Sequence, residues 1–291
     1  MRIFSHVRRV ARKVAGPRVA SYARRVLRRE HPGTEFYCSV LNGRWGLELG
    51  GPSEILGDAG ALPIYRILGG LDNCLYSART IWTGDVQKGR SFLYHPLKPN
   101  GNQIICEATQ LRSITDSAYE FVLASHCLEH VANPLRALVE WKRVLRQDGL
   151  LLLILPHKDG TFDWRRPTTT LVHMIEDSRN QIGEDDLTHL PEILALHDLE
   201  RDKAAGSKEE FRQRCAQNYS NRAMHHHVFD TATAVALVDN AAFQVLRVDT
   251  SKPYHITILA RRCDQTCDNS AFLGPNAPYR RLSPFPSDRL T

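Results

Sequence analysis

The chain has 291 residues, of which 42% are apolar and 24% are charged. This composition is typical of a globular protein with a sizeable core, and it excludes a disordered chain, a collagen-like fibre and a disulfide-rich mini-domain. No run approaches the ~18 uninterrupted apolar residues that a membrane-spanning helix needs. The seven scattered cysteines indicate a reducing compartment.

The net charge of +6 is distributed unevenly along the chain. Residues 1–30 contain ten Lys and Arg and one acidic residue, Glu30, so they carry +9 and the rest of the chain carries −3. The main body therefore has no excess of positive charge with which to follow a nucleic-acid backbone. We predict that the protein has no nucleic-acid partner.

The basic segment 1–30 has apolar residues at helical spacing between its arginines, and Pro17 divides it into two short amphipathic helices. It lacks the apolar core of a secretory signal, so a cytoplasmic location is predicted. Two interpretations remain open. The segment is either an arm that packs against the body or a partner, or a peripheral contact with the anionic inner surface of a membrane.

After this segment, the first predicted elements are buried strands at residues 45–49, 119–124 and 150–155. Between the last two, Asn133 and Pro134 have the residue types that cap and begin a helix. A strand, a helix and a second strand in this order form a βαβ unit, which predicts a partly parallel sheet.

The later part of the chain divides into three regions. Residues 157–229 are polar and rich in histidine, and they are predicted to be an insertion over the substrate side of the sheet. Residues 243–248 and 254–261 alternate in polarity and are predicted to pair antiparallel. We therefore expect one domain over residues 31–262, followed by a flexible, proline-rich tail at residues 263–291.

The turn after the first strand combines Glu48 with a Gly50-Gly51 pair, and glycine allows a backbone to approach a ligand closely. Further along come Glu107-Ala108-Thr109, the segment 125–131 with Leu128-Glu129-His130, and a glycine turn that leads into strand 150–155. In this order the motifs resemble those of class I S-adenosylmethionine-dependent methyltransferases of the small-molecule type, methyltransferase type 11-like. The resemblance covers roughly residues 40–262.

This resemblance implies an α/β, Rossmann-like fold, with a seven-stranded, mostly parallel sheet, an antiparallel last strand and helices on both faces. It also implies S-adenosyl-L-methionine as the cofactor. The residues that it places at the cofactor are Glu48, Gly50, Gly51, Pro52, Ser53, Glu107, Ala108, Thr109, Ser125 and His126. In addition, Asp72 is the acid nearest to the position expected to hold the ribose hydroxyls.

The acceptor is predicted to lie at the carboxyl edge of the sheet, where ligands bind in open α/β folds. His157 follows the strand 150–155 directly, and we predict that His157 and His126 are the catalytic residues, with His157 as the general base. Forked hydrogen bonds and ring stacking suit an anionic or sugar-like acceptor. The predicted acceptor-binding residues are Lys158, Trp164, Arg165, Arg166, His225 and His226.

The histidines and acidic residues allow two interpretations, a metal site or a polar substrate-binding surface. Glu129-His130 resembles the metal-binding position of ubiquinone-type O-methyltransferases, but His126 replaces the first acid. In the insertion, His189, His197 and residues 225–227 could supply ligands together with nearby aspartates. Because no pair has the close spacing of a known zinc motif, no metal ligands are assigned, and whether the insertion binds a metal is left open.

The sequence therefore predicts an enzyme that transfers a methyl group to a small-molecule or sugar-containing acceptor, such as a glycosyl or glycolipid group, at oxygen. The alternative is a binding module that keeps the fold without catalysis and docks through its basic arm. The identity of the acceptor and the oligomeric state are left open.

Overall fold

The structure is a computed structural model, and it describes residues 31–289. The basic segment 1–30 lies outside the described residues, so its helices and its membrane contact remain predictions. Within residues 31–289, no helix is both long and apolar enough to cross a bilayer.

Eight strands form the main sheet, and a separate two-stranded hairpin lies beside it. The strands are β1 (Trp45–Leu49), β2 (Gly70–Leu75), β3 (Arg79–Thr80), β4 (Gly84–Asp85), β5 (Gly89–Phe92), β6 (Gly101–Ile105), β7 (Tyr119–Ser125), β8 (Leu145–Pro156), β9 (Phe243–Ser251) and β10 (His255–Arg262). The order in the main sheet is β5-β6-β2-β1-β7-β8-β10-β9, and β3 pairs with β4.

The strand directions confirm the predicted mixed sheet. Strands β6, β2, β1, β7 and β8 are mutually parallel, whereas β10 is antiparallel to both of its neighbours, β8 and β9. The one difference is β5, an eighth strand that pairs antiparallel at the β6 edge. The sheet is therefore Rossmann-like, and the last strand along the chain, β10, is antiparallel as predicted.

The helices are short, and the helix predicted to begin at Pro134 is among them. They are α1 (Thr34–Leu41), α2 (Pro134–Val144), α3 (Leu171–Arg179), α4 (Leu190–Leu196), α5 (Lys208–Ala216), α6 (Asn218–Asn221), α7 (Thr231–Asn240), α8 (Ser270–Leu273) and α9 (Pro278–Leu282). The predicted cap of α2 forms, because the Asn133 side chain accepts a hydrogen bond from the Arg136 amide. The βαβ unit from β7 through α2 to β8 is confirmed.

The sheet is covered on both faces. Helices α2, α3 and α7 pack with one core, which includes Trp141 and Val235, and the second core contains Tyr37 of α1 together with residues from the loops after β1. The apolar run 150–155 of β8 is buried along its whole length, as a strand between two packed layers must be.

The prediction of a flexible tail is wrong for residues 263–289. Phe285 is completely buried, and its ring stacks on His157 with a centroid distance of 4.0 Å. The Asp288 carboxylate accepts hydrogen bonds from the amide and hydroxyl of Thr231. A few well-placed buried side chains fix this segment, although its proline content and weak periodicity suggested otherwise.

Candidate cofactor and acceptor site

A cavity of about 1020 Å³ opens at the carboxyl ends of the parallel strands. It is lined by residues at or just after the ends of β1, β2, β6 and β7, around the place where the strand order reverses, which is the usual ligand site of an open α/β sheet. Its lining includes Gly50, Pro52 and Ser53 after β1, Glu107 and Ala108 after β6, Ser125 and His126 at the end of β7, and Thr161, Arg222 and His225 of the insertion.

The turn after β1 exposes bare backbone to this cavity. Gly50 has φ of 84°, a left-handed conformation that favours glycine, and its amide donates to the Cys74 carbonyl. A β-carbon on Gly51 would lie 2.2 Å from Cδ of Glu48, so this position also needs glycine. Gly50 lines the cavity, whereas Gly51 closes the turn over the Glu48 carboxyl group.

Glu48 lies behind the turn and does not line the cavity. Its carboxyl group is fully buried and accepts hydrogen bonds from the hydroxyls of Ser53, at 2.7 Å, and Tyr65, at 2.8 Å. Burial raises the pKa of Glu48, and the hydrogen bonds from Ser53 and Tyr65 lower it. Burial has the larger effect, so the pKa is raised to about 7. Glu48 therefore supports the turn from behind. Its direct contact with a ligand remains a prediction.

Two buried polar atoms at the end of β7 have no hydrogen-bond partner among residues 31–289. They are Oγ of Ser125 and Oε2 of Glu129, and both residues line the cavity. An unsatisfied buried oxygen costs free energy unless a ligand or water completes it. The end of β7 is therefore prepared for a polar ligand.

Glu107 faces the cavity as predicted, but one of its oxygens already has a partner. Oε1 of Glu107 lies 2.7 Å from Nη2 of Arg222, and the other end of the Arg222 guanidinium lies 2.7 Å from Oε2 of Glu184. The ring of Tyr76 packs on the same guanidinium. Arg222 thereby joins the insertion to the ends of β2 and β6.

The prediction for Asp72 is wrong. It lies inside β2, and its side chain does not line the cavity. The carboxylate accepts hydrogen bonds from the Asn102 amide at 2.7 Å and from the Tyr119 hydroxyl at 2.9 Å, so its role is to tie β2 to its surroundings. The residue that follows the end of β2 and lines the cavity is Tyr76.

The prediction that His157 is the general base is also wrong. Its side chain is completely buried between the Phe285 ring and Asp288, whose Oδ1 lies 3.2 Å from Nε2. Nδ1 accepts a hydrogen bond from the Asp159 amide. Both ring nitrogens face the protein interior, so His157 holds the tail against the sheet instead of meeting a substrate.

Arg166 and Lys158 are structural, contrary to the prediction that they bind the acceptor. Arg166 is buried, and its guanidinium donates to Asp163, to Glu192 and to the backbone carbonyls of residues 225 and 226. Nζ of Lys158 donates to the Arg166 carbonyl. Arg166 thus fixes the backbone at the start of the histidine run.

Trp164, Arg165 and His226 do not line this cavity, so their contact with an acceptor stays a prediction. The Trp164 indole donates to Asp198, and Arg165 packs on its ring. His226 is buried, with its Nε2 at 3.0 Å from Nδ2 of Asn218. Thr109, unlike its neighbour Ala108, does not line the cavity either.

His225 lines the cavity and is held by a carboxylate. Its Nδ1 lies 2.6 Å from Oδ2 of Asp163, which leaves Nε2 as the ring nitrogen available to a ligand. Burial acts to lower the pKa of His225, but the Asp163 carboxylate raises it above its ordinary value. For Asp163, burial is outweighed by His225 and Arg166, which lower its pKa to about 2.

His126 lines the same end of the cavity, at the carboxyl end of β7. Its backbone is left-handed, with φ of 51°, which turns the ring toward Glu129 and His255. Nδ1 lies 3.6 Å from Oε1 of Glu129, and Nε2 lies 3.0 Å from Nδ1 of His255. Two histidines backed by carboxylates, His126 and His225, therefore face one cavity.

Sequence reasoning missed several residues of this site. They are Tyr76, Trp82, Thr161, Arg222, Tyr254 and His255, which come from loops, from the insertion and from the start of β10. Their separation along the chain gives no local pattern. A signal that could have located one of them is the position of Tyr76, directly after the second parallel strand.

The chain matches a known family model over one segment and is similar to several solved structures. Residues 87–153 match the family model described as "Methyltransferase domain". No curated protein matches the chain. Among solved structures, the chain is similar to a SAM-dependent methyltransferase from Aquifex aeolicus, at 15% identity over 88% of this chain and 98% of that chain, with a TM-score of 0.43.

The chain is also similar to the Burkholderia thailandensis 1,6-didemethyltoxoflavin-N1-methyltransferase, whose structure contains S-adenosylhomocysteine. The identity is 13% over 87% of this chain and 92% of that chain, with a TM-score of 0.43. The fold is Rossmann-like, and the edge of its sheet carries a ligand-sized cavity. Residues 87–153 match the methyltransferase-domain model, and S-adenosylmethionine-dependent methyl transfer is the activity that this match supports.

The cavity fits S-adenosyl-L-methionine. Its left-handed Gly50 offers backbone at the sheet edge, and the unpartnered Ser125 Oγ lies at the end of β7. When bound, the cofactor supplies an electrophilic methyl group on a positively charged sulfur. A volume near the upper end of ordinary ligand cavities, ~1,000 Å³, leaves room for an acceptor beside it.

Proposed function

We propose that the protein methylates a hydroxyl oxygen of a small or sugar-containing acceptor. The observation that carries this proposal is the Asp163–His225 pair at the cavity wall, with a 2.6 Å contact at Nδ1 and Nε2 left for a ligand. An alcohol must lose its proton as its oxygen attacks a methyl group. A histidine oriented by a carboxylate is a common way to accept that proton.

The chain's residues have distinct tasks in this proposal. His225 accepts the proton from the acceptor hydroxyl, and Asp163 keeps its ring oriented and stabilises the imidazolium that forms. His126 and Glu129, which lie at the same end of the cavity as His225, bind further hydroxyls of the acceptor. The walls position donor and acceptor in line and exclude water, which would otherwise compete as a nucleophile.

The preference for a hydroxylated acceptor is supported by the polar groups at this end of the cavity. Besides the histidines, the hydroxyls of Thr161 and Tyr254 belong to residues of the wall, as do the charged groups of Arg201 and Asp202. Sugars carry many hydroxyls and need closely spaced donors and acceptors. We therefore propose a glycosyl-type acceptor before an apolar one.

The experiment measures transfer of a labelled methyl group from S-adenosylmethionine to a panel of glycosides, phenols and amines. We expect a product with an O-methyl group. In the His225→Gln variant we expect kcat to fall by about 10²–10⁴-fold, the usual contribution of a general base, with unchanged cofactor affinity. His95→Gln, a histidine outside the cavity, is the matched control.

Transfer to nitrogen would contradict the proposal, as would a His225→Gln variant that retains the full rate on the preferred acceptor. Asp163→Asn is a second test, because it removes the charge and keeps the shape. We expect it to lower kcat more than it changes KM for the acceptor.

A further inference from the structure

A second group of histidines lies in the insertion, outside the lining of the cavity. It consists of four side chains, called the insertion cluster here: His173, Asp177, His189 and His227. One ligand-type atom from each lies within 4.8 Å of the others. These residues are distant in sequence and are brought together by the fold of the insertion.

The contacts within the insertion cluster have the spacing of ligands around one ion. Nε2 of His173 lies 3.1 Å from Nε2 of His189 and 3.4 Å from Oδ2 of Asp177. The distance from that Oδ2 to Nε2 of His227 is 3.9 Å. In a tetrahedral site with bonds of ~2.0–2.1 Å, neighbouring ligand atoms are about 3.3–3.4 Å apart.

Without a cation, the protein leaves these groups poorly satisfied. Oδ2 of Asp177 is buried and has no hydrogen-bond partner among residues 31–289. A single N–H···N bond can join His173 to His189, but it provides no donor for this oxygen. The His227 side chain is fully buried; its Nε2 lies 3.2 Å from the Ala132 carbonyl, while Nδ1 has no partner in the described chain.

Local structure directs each ligand to the same point. His173 and Asp177 are four residues apart on α3, so they lie on one face of the helix. Thr170 caps this helix by accepting a hydrogen bond from the His173 amide. His189 immediately precedes α4. His227 lies in an extended segment, and the His227 amide donates to the Glu129 carbonyl.

We propose that the insertion contains a structural Zn²⁺ site whose four ligands are His173, Asp177, His189 and His227. Three imidazoles and one carboxylate are a ligand set that zinc accepts, and four protein ligands leave no open position for chemistry. Other first-row divalent ions also accept imidazole ligands, and elemental analysis of the purified protein distinguishes them from zinc. Mg²⁺ prefers oxygen ligands and should bind weakly.

The site would act on the acceptor end of the cavity through the backbone. His227 is two residues from His225, and Arg166 binds the carbonyls of residues 225 and 226 from the other side. An ion on His227 would therefore fix the segment that carries His225. Cofactor binding depends on residues of the sheet edge and should be insensitive to this ion.

The test uses the full chain, produced without a histidine tag and purified without metal-affinity chromatography. Elemental analysis should find about one zinc per chain. After removal of the metal with a chelator, titration with Zn²⁺ should restore it with much higher affinity than Mg²⁺. Cobalt substitution should give the intense visible absorption of a tetrahedral site.

Two variants locate the ion. Asp177→Asn and His189→Ala should weaken zinc affinity by more than about a hundredfold, beyond the loss caused by removing a supporting hydrogen bond. His197→Ala, in the same insertion but paired with Asp202, should keep the metal. If a variant fails to fold, the spectrum of the cobalt-substituted wild-type protein still tests the four-ligand geometry.

Three results would overturn the proposal. One is that chelator-treated protein binds zinc no better than His189→Ala. Another is that the cobalt spectrum is octahedral. The third is that the metal survives both cluster substitutions but is lost in Glu129→Gln, which would place it at the group formed by Glu129, His130 and His225 in the cavity. None of these depends on whether the acceptor atom is oxygen.

Discussion

The buried carboxyl group of Glu48 makes a sharp prediction about the dependence of stability on pH. Its pKa is about 7 in the folded protein, because burial disfavours the charged form, against an ordinary value of 4.5. Between these values the unfolded chain has lost the proton that the folded chain retains. Stability therefore falls as the pH rises from 4.5 to 7, and then stays lower.

The size of this effect follows from the two values. Their difference, at 1.36 kcal/mol per pH unit, corresponds to about 3 kcal/mol of unfolding free energy. Gln does not titrate, and its amide oxygen can still accept from Ser53 and Tyr65. Relative to the wild-type protein, Glu48→Gln should therefore gain roughly 3 kcal/mol between pH 4 and pH 8.

The assay is urea unfolding of the cofactor-free protein, followed by tryptophan fluorescence and circular dichroism at several pH values. Comparing variant with wild type at each pH cancels the titration of every other group. Glu35→Gln, an exposed carboxyl on α1, is the control and should give a nearly constant difference. A Glu48→Gln difference that is equal at pH 4 and pH 8 would show that the hydrogen bonds fully offset the effect of burial, and a difference that falls between these pH values would show that they outweigh it.

Two further predictions concern the turn and the tail. Gly50→Asp should abolish binding of S-adenosylhomocysteine in calorimetry, while the circular dichroism spectrum stays unchanged. The reason is that φ of 84° disfavours a side chain and that the new carboxylate would lie at the cavity. Normal affinity in this variant would show that the turn is not part of the cofactor site. Phe285→Ala should lower the unfolding free energy by about 3–5 kcal/mol in urea titration, as expected for a buried aromatic ring, and a loss below about 1 kcal/mol would mean that the tail does not pack.

Local sequence patterns were sufficient for much of the fold. The run 150–155 is apolar at every position, so it had to be a strand buried on both faces, and the Asn133-Pro134 pair marked the start of α2. The glycines after β1 identified the turn, because only a residue without a side chain tolerates that backbone and the contact with Glu48. These features depend on a few neighbouring residues.

Other features depended on contacts that no local pattern records. His157 follows β8 at the position where a base was expected, yet the tail from the far end of the chain covers it with Phe285. Asp72 has the right distance from the glycine turn, but its side chain faces Tyr119 and not the cavity. The position of these residues in the sequence was enough to place them in or directly after a strand of the sheet. Whether their side chains reach the cavity depends on how distant segments pack against them.

The histidines show the same division most clearly. The sequence by itself determined a methyltransferase-type sheet with a histidine-rich insertion over its carboxyl edge. Only the tertiary structure separated the histidines, placing His225 beside Asp163 in the cavity and joining His173 to His189 in the insertion cluster. Hydrogen bonds and metal–ligand bonds form only between atoms about 2–4 Å apart, however far apart their residues are in the sequence. The partner of a side chain is therefore set by the path of the whole chain in space.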